Sequence, residues 1–217
     1  MERQLDLFAA VAQDPAFDTL EAAREAARGC VRCELAENRQ QVVFGEGAPT
    51  ARLVIVGEAP SEADDASGHP FSGPSGRLLG RWLQMVGLSR ADVWLTNVVR
   101  CRPAAPDGDR VRNRPPRASE IAACRPWLEA ELRLLHPEAI LCVGAAAGRA
   151  IVGRGFKMAR DRGQWLRAAG STPTLATYNP AYVLRLEGAA RDRAETEVAA
   201  DLASVRDRLG LSARREH

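Results

Sequence analysis

Apolar residues fall along this chain in two alternating rhythms. The short runs RLVIVG (52–57), VWLTNVV (93–99) and AILCVG (139–144), with PTLATYNP (173–180), have strand length and the apolar character of strands covered on both faces. Between them the spacing is helical. TLEAAREAARG (19–29) predicts a helix stopped at Gly29, and SGRLLGRWLQMVG (75–87) sets Leu78, Leu79, Trp82, Leu83 and Val86 at helical spacing before Gly87 ends it. SEIAACRPWLEAELRLL (119–135) predicts a helix capped by Ser119 and kinked at Pro126. AAAGRAIVG (145–153) predicts a short helix, and Arg191 to Leu209 an amphipathic one. This alternation predicts an α/β fold, one mostly parallel sheet with helices on both faces. Ligands of such sheets sit outside the carboxyl ends of the strands, where GEAPSEADDASGHPFSG (57–73), TNVVRC (96–101) and YNPAYVLR (178–185) lie.

Composition narrows the class. The 217 residues, 46% of them hydrophobic, suffice for one substantial core, and a single domain over 1–217 is expected, with residues 1–20 as an extension. No repeat and no apolar run of spanning length occurs, which argues against a solenoid or a membrane protein. MERQLDLFAA lacks the pattern of a secretory signal, so a cytoplasmic location is expected. Thiols there are normally reduced, and five cysteines point to metal ligands or buried thiols before disulfides. Cys30 and Cys33 form a C-x2-C pair, Cys101 and Cys124 flank an arginine-rich stretch, and Cys142 reads as a small apolar residue inside a strand. Four sulfur ligands suit tetrahedral zinc or a 4Fe-4S cluster; spacing leaves both open, beside unligated thiols. The net charge is only +2, yet residues 100–125 hold seven arginines against three acids. That clustering is the electrostatic feature that suggests a polyanionic partner.

Five segments in order, CVRC (30–33), GEAPSEADDASGHPFSGPSGRLL (57–79), TNVVRCRP (96–103), AACRPWL (122–128) and TYNPAYVLR (177–185), resemble the motifs of the iron–sulfur uracil-DNA glycosylases, the family 4 type and its X relatives. The resemblance implies a single three-layer α/β/α sandwich and a monofunctional enzyme that removes uracil, or another deaminated base, from DNA. It implies a structural 4Fe-4S cluster on Cys30, Cys33, Cys101 and Cys124. It also implies a bacterial, nucleoid-associated monomer that acts on DNA and not at a membrane.

Roles carried over by resemblance fall on matching positions. Phe71 stacks on the extruded ring, and Asn97 pairs with O4 and N3–H of uracil. Glu58, with Ala59 beside it, lines the C5 edge. Asp64 positions the attacking water or stabilises the sugar cation, and Asn179 supports O2. An amide held in one orientation leaves polar groups of cytosine unpaired, at about 1–3 kcal/mol each. Glu62 and Asp65 are expected to be solvated loop charges, with a helper role at the site as the alternative for Asp65. Tyr182, Val183, Leu184 and Arg185 match the segment that presses into the minor groove. The insertion APDGDRVRNRPPRASE (105–120) has the place of the X-subfamily loop, with Arg110, Arg112, Asn113 and Arg114 as DNA contacts.

The chain departs from the family pattern at four positions. Asn179 replaces a histidine, Asp64 replaces the commoner glutamate, Ser61 replaces a glycine, and Asn113 stands where the X subfamily has a nucleophilic histidine, so no covalent DNA adduct is expected. Two alternatives follow: a damaged-base binding protein of the same fold with little excision, or a metal-stabilised domain for another nucleotide. QLDLF (4–8) resembles a short sliding-clamp-binding motif.

Overall fold

The structure, a computed structural model, describes residues 17–167 and 172–211. The clamp-like segment 4–8 lies outside them, as does most of the expected extension. The elements in chain order are α1 (Leu20–Arg28), α2 (Leu35–Asn38), β1 (Glu46–Gly47), β2 (Leu53–Gly57), α3 (Glu62–Ser67), α4 (Pro74–Met85), a 3-10 turn (Arg90–Asp92), β3 (Trp94–Asn97), β4 (Ala104–Asp107) and β5 (Arg110–Asn113). There follow α5 (Ala118–Leu135), β6 (Ala139–Val143), α6 (Ala145–Ile151), α7 (Met158–Asp161), β7 (Leu166–Arg167), β8 (Pro173–Thr177), α8 (Pro180–Val183) and α9 (Gly188–Arg208).

Among the described residues, six strands form one sheet in the order β1-β3-β2-β6-β8-β7. The inner four are mutually parallel, and the two-residue edge strands β1 and β7 run antiparallel to their neighbours. The period-2 alternation of side chains divides the core in two. Val54, Val56, Ile140 and Cys142 point to a layer containing α1, α5 and α6. Leu53, Ile55, Leu141 and Val143 point to a layer containing α4 and α9. Both faces are covered, which is why the inner strands read as largely apolar runs. The strand order reverses between β2 and β6, where the helix after β2 (α4) and the helix after β6 (α6) pack on opposite faces, so the chain opens a crevice between the carboxyl ends of these two strands.

Three local expectations are corrected. The helix over 118–135 is capped at Arg117 rather than Ser119: the Glu120 carboxylate at the third helical position reaches back to the Arg117 N–H at 2.6 Å, the half of a capping box that satisfies the cap residue's own donor. Residues 105–120 begin not as a loop but within a β-hairpin, β4 pairing β5 across Gly108-Asp109, with Gly108 at φ 62 where the tight turn needs a left-handed residue. The acidic stretch after β2 is helical. Ser61 at φ −80 caps α3, accepting from Asp64 N while the Asp64 carboxylate accepts from Ser61 N, so a serine performs there a task that glycine cannot.

Candidate active site

The four parallel strands end side by side and deliver the segments that hold Glu58, Asn97, Gly144 and Asn179. Glu58, Ala59, Asp64, Phe71, Asn97 and Asn179 line one cleft of about 350 Å3, inside the range of roughly 300–1,000 Å3 usual for small-molecule sites. Asn113, Arg114 and Arg185 also line it.

Phe71 has φ 56, a left-handed backbone that non-glycine residues seldom adopt and that costs about 1–3 kcal/mol. The surroundings compensate. On one side Arg90 donates to the Pro70 carbonyl at 2.8 Å and to the Phe71 carbonyl at 3.0 Å. On the other, Asp64 Oδ1 accepts the Ser72 N–H and hydroxyl. Two glycines make room: a Cβ on Gly76 would collide with the Phe71 carbonyl, and one on Gly57 would stand 2.7 Å from Phe71 Cζ and nearer still to Asn97 Oδ1. The ring therefore lies against the end of β2, beside the Asn97 amide.

Asn97 is buried, and its Nδ2 has no hydrogen-bond partner among the described residues. An unpaired buried amide is costly, and here it lines a cleft that can supply the acceptor. Its backbone is held from below. Arg100 Nη1 donates to the Asn97 carbonyl while Nη2 reaches Glu131 at 2.7 Å, and the same carboxylate accepts from Thr96 and from Gly45 N. Glu58 is half-buried, and burial pushes its carboxyl above the ordinary value, opposed by the charge of Arg149.

Asn179 is the N-cap of α8: its Oδ1 accepts from Ala181 N at 2.8 Å. That bond fixes the flip of the amide, leaving Nδ2 as the end available for a ligand. Gly144, at φ 109, passes so close that a Cβ would stand 3.0 Å from that of Asn179.

The structure redistributes several other expected residues. Asp65 is not a solvated charge: it is 2% exposed and accepts from the backbone of Gln40 and Gln41, tying α3 to the segment before β1. Glu62 is exposed and pairs with Arg102 at 3.1 Å. Val183 is fully buried in the α4/α9 layer and is removed from the groove-facing segment, whereas Tyr182 is 42% exposed against Tyr178, Leu184 is half-buried, and Arg185 is exposed. On the hairpin, Arg110 has no ion pair among the described residues, Arg112 pairs with Asp107, and Asn113 Oδ1 accepts from Arg102 Nε at 2.6 Å. Arg114 forms a two-pronged pair with the buried Glu120, a structural commitment that sets it apart from its neighbours.

Cys30, Cys33, Cys101 and Cys124 line one recess beneath Arg39 and Arg100. Arg39 donates to the Cys30 carbonyl at 2.7 Å and to Cys101 Sγ at 3.6 Å, and the Arg100 N–H donates to Cys124 Sγ at 3.1 Å. Burial pushes the Cys101 thiol up to about 11 and the Cys124 thiol up to about 12. As free groups they would stay protonated at neutral pH. No three His, Cys, Asp or Glu side chains among the described residues are arranged to hold a single metal ion. Cys142 is fully buried in β6, and burial raises its thiol pKa strongly.

Sequence reasoning did not single out Ser72, Arg90, Arg100 or Arg102 as supports of the site. Ser72, Arg100 and Arg102 lie in loops and Arg90 on the 3-10 turn, and apart from the Arg100 bond to the Asn97 carbonyl their contacts join different segments of the chain, so no spacing rule exposes them.

The α/β/α sandwich thus brings an aromatic ring and two amides into one cleft at its strand ends. The chain belongs to the uracil DNA glycosylase superfamily, whose sequence profile matches residues 44–203. It is 37% identical over 169 residues to a type-4 uracil-DNA glycosylase of Thermotoga maritima, covering 77% of this chain and 84% of that one. It is 36% identical over 173 residues to a type-4 uracil-DNA glycosylase of Pyrobaculum aerophilum, with 76% and 85% covered. A type-5 uracil-DNA glycosylase of the same organism is 31% identical over 151 residues, with 62% and 63% covered. No helix among the described residues is long and apolar enough to cross a membrane.

Proposed function

We propose that this protein is a monofunctional DNA glycosylase that hydrolyses the N-glycosidic bond of uracil in DNA and leaves an abasic site. The observation that carries the reading is the Asn97 amide, buried with an unpartnered Nδ2 in a cleft beside the Phe71 ring. A base must leave the stack to enter such a cleft. Phe71 would stack on it, and Asn97 would donate to O4 and accept from N3–H; cytosine presents the reverse pattern. Glu58 and Ala59 would line the C5 edge.

As the bond from C1′ to N1 breaks, its electron pair leaves with the base and positive charge grows on the deoxyribose. Water then adds to C1′, and the proton it loses passes through solvent to the departing uracil anion, giving neutral uracil and the abasic sugar. The Asn179 Nδ2, oriented by the cap at Ala181, would donate to O2 as negative charge builds there. The Asp64 carboxylate would offset the sugar cation; with three donors already on its oxygens, it is better suited to electrostatic stabilisation than to accepting a proton from water. Arg110 and Arg112 would contact phosphates, with Asn113, Arg114, Tyr182, Leu184 and Arg185 nearer the opened base step. Asn113 offers no nucleophile, so no covalent intermediate forms on the hairpin.

Cys30, Cys33, Cys101 and Cys124 would hold a 4Fe-4S cluster. Four sulfurs lining one recess, with N–H donors aimed at two of them, are compatible with such a group. The cluster would supply cross-linking, tying the hairpin root to the segment after α1.

The test is a labelled oligonucleotide with one uracil, incubated with iron-loaded protein, treated with alkali and run beside cytosine- and hypoxanthine-containing controls. Cleavage at uracil alone, lost in Asn97→Ala, is expected. Tight binding of the uracil strand without cleavage, with visible cluster absorbance intact, would instead identify a damaged-base binding protein.

A further inference from the structure

Arg90 lies outside the cleft, on the 3-10 turn before β3, yet its guanidinium holds two consecutive carbonyls of the loop carrying Phe71. Successive carbonyls of an extended chain point opposite ways, and they converge on one donor only when the residue between them has helical-type dihedrals. That residue is Phe71, at φ 56. The other prong of the arrangement is acidic. Arg90 Nη2 also reaches Glu46 Oε1 at 2.8 Å, and Glu46 Oε2 lies 2.7 Å from His69 Nδ1. Edge strand β1 thus anchors the guanidinium, and the guanidinium holds the loop.

We infer that Arg90 is a positioning residue that sets the Phe71 ring at the mouth of β2, and thereby the stacking half of base recognition; this rests on the cleft taking a planar base, as proposed above. The planar fork of Arg suits two carbonyls and one carboxylate together, whereas the ammonium of Lys is a point donor. Without the fork, Phe71 relaxes toward an ordinary negative φ. Such a change carries the ring away from Gly57 and Asn97, although Arg90 itself touches no part of the cleft's contents. Asp64 at Ser72 holds the loop on the far side, so the fold survives loss of either restraint while the ring's direction does not.

The experiment compares iron-loaded wild type with Arg90→Met, Arg90→Lys, Phe71→Leu and the double variant Phe71→Leu/Arg90→Met. Amide resonances of Gly57 and the Asn97 side chain, which lie near the ring, report its place without any substrate. Both are expected to shift in Arg90→Met and to shift less in Arg90→Lys. Binding of free uracil, read by competition against excision, is expected to weaken about tenfold in Arg90→Met, the scale of a lost stacking contact. The double variant is expected to bind no more weakly than Phe71→Leu alone, because Arg90 acts through the ring. Unmoved Gly57 and Asn97 resonances in a folded Arg90→Met, or losses that multiply in the double variant, would overturn the inference. If Arg90→Met does not fold, Glu46→Gln weakens the same anchor and must move the same resonances. A wild type that neither excises nor binds uracil would sink the proposed function, and the resonances would still decide the role of Arg90.

Discussion

Asp64 Oδ1 accepts both the backbone N–H and the hydroxyl of Ser72, each at 2.7 Å, while its Oδ2 closes the cap on Ser61 N at 2.9 Å. One buried carboxylate thus ties the start of α3 to the residue after Phe71. Asp64→Ala leaves these donors unpaired, and a loss of at least about 2 kcal/mol is expected, since each unsatisfied buried group costs about 1–3 kcal/mol. Urea unfolding should show a lower midpoint at unchanged slope. Ser72→Ala removes the hydroxyl's bond to Asp64 and the one it accepts from the exposed Ser67 hydroxyl, so it is expected to cost about 1–2 kcal/mol and to keep uracil excision within a few-fold of wild type.

Asn179→Asp separates two roles of one side chain. Aspartate caps a helix as well as asparagine does, so the bond to Ala181 N is retained and the melting temperature should stay close to wild type. The donor facing the cleft, however, becomes an acceptor with negative charge. Excision is expected to fall by about 100-fold or more, the scale of a lost transition-state donor. Retained activity would mean that Asn179 does not face the departing base.

Arg110 and Arg114 should behave differently toward salt. Arg110→Ala is expected to weaken DNA binding and to reduce the slope of log affinity against log salt by about 1, as for one lost phosphate contact. Arg114→Ala breaks the pair with buried Glu120, so its main effect should appear in thermal unfolding. Equal salt slopes for wild type and Arg110→Ala would place the hairpin away from phosphate.

Glu120 couples the hairpin root to pH. The Arg114 guanidinium, with the Arg117 N–H, holds its carboxyl below the ordinary 4.5. Its contribution is therefore fully present above that value and is lost as pH falls through the lower folded-state value. Thermal stability should decline on acidification below about pH 4.5, with a shallower decline in Glu120→Gln. An identical decline in both would assign the acid sensitivity to other carboxylates.

Much of this architecture was legible from local pattern. Largely apolar runs marked the inner parallel strands because burial on both faces leaves few polar positions, such as Thr96 and Thr177, each hydrogen-bonded to a buried carboxylate, and helical spacing with Gly29 and Gly87 marked where α1 and α4 stop. The two-residue edge strands were not legible, since a pair of residues carries no period. The hairpin carried a Gly108-Asp109 turn signal, but flanking residues such as Pro106 and Arg112 lack strand character.

The site divides along the same physical line. The apolar runs put the segments that carry Phe71, Asn97 and Asn179 after strand ends, because the chain's order sets them there, and the family resemblance picked out those residues within them. What each side chain is free to do was decided by partners remote in sequence. Arg90 and Asp64 hold the loop around Phe71, and Ala181 fixes the flip of Asn179. Glu120 takes Arg114 into the structure, and the α4/α9 layer buries Val183. Local pattern reports burial and dihedral preference along the chain, whereas hydrogen bonds between distant residues exist only once the sheet has brought its strand ends together.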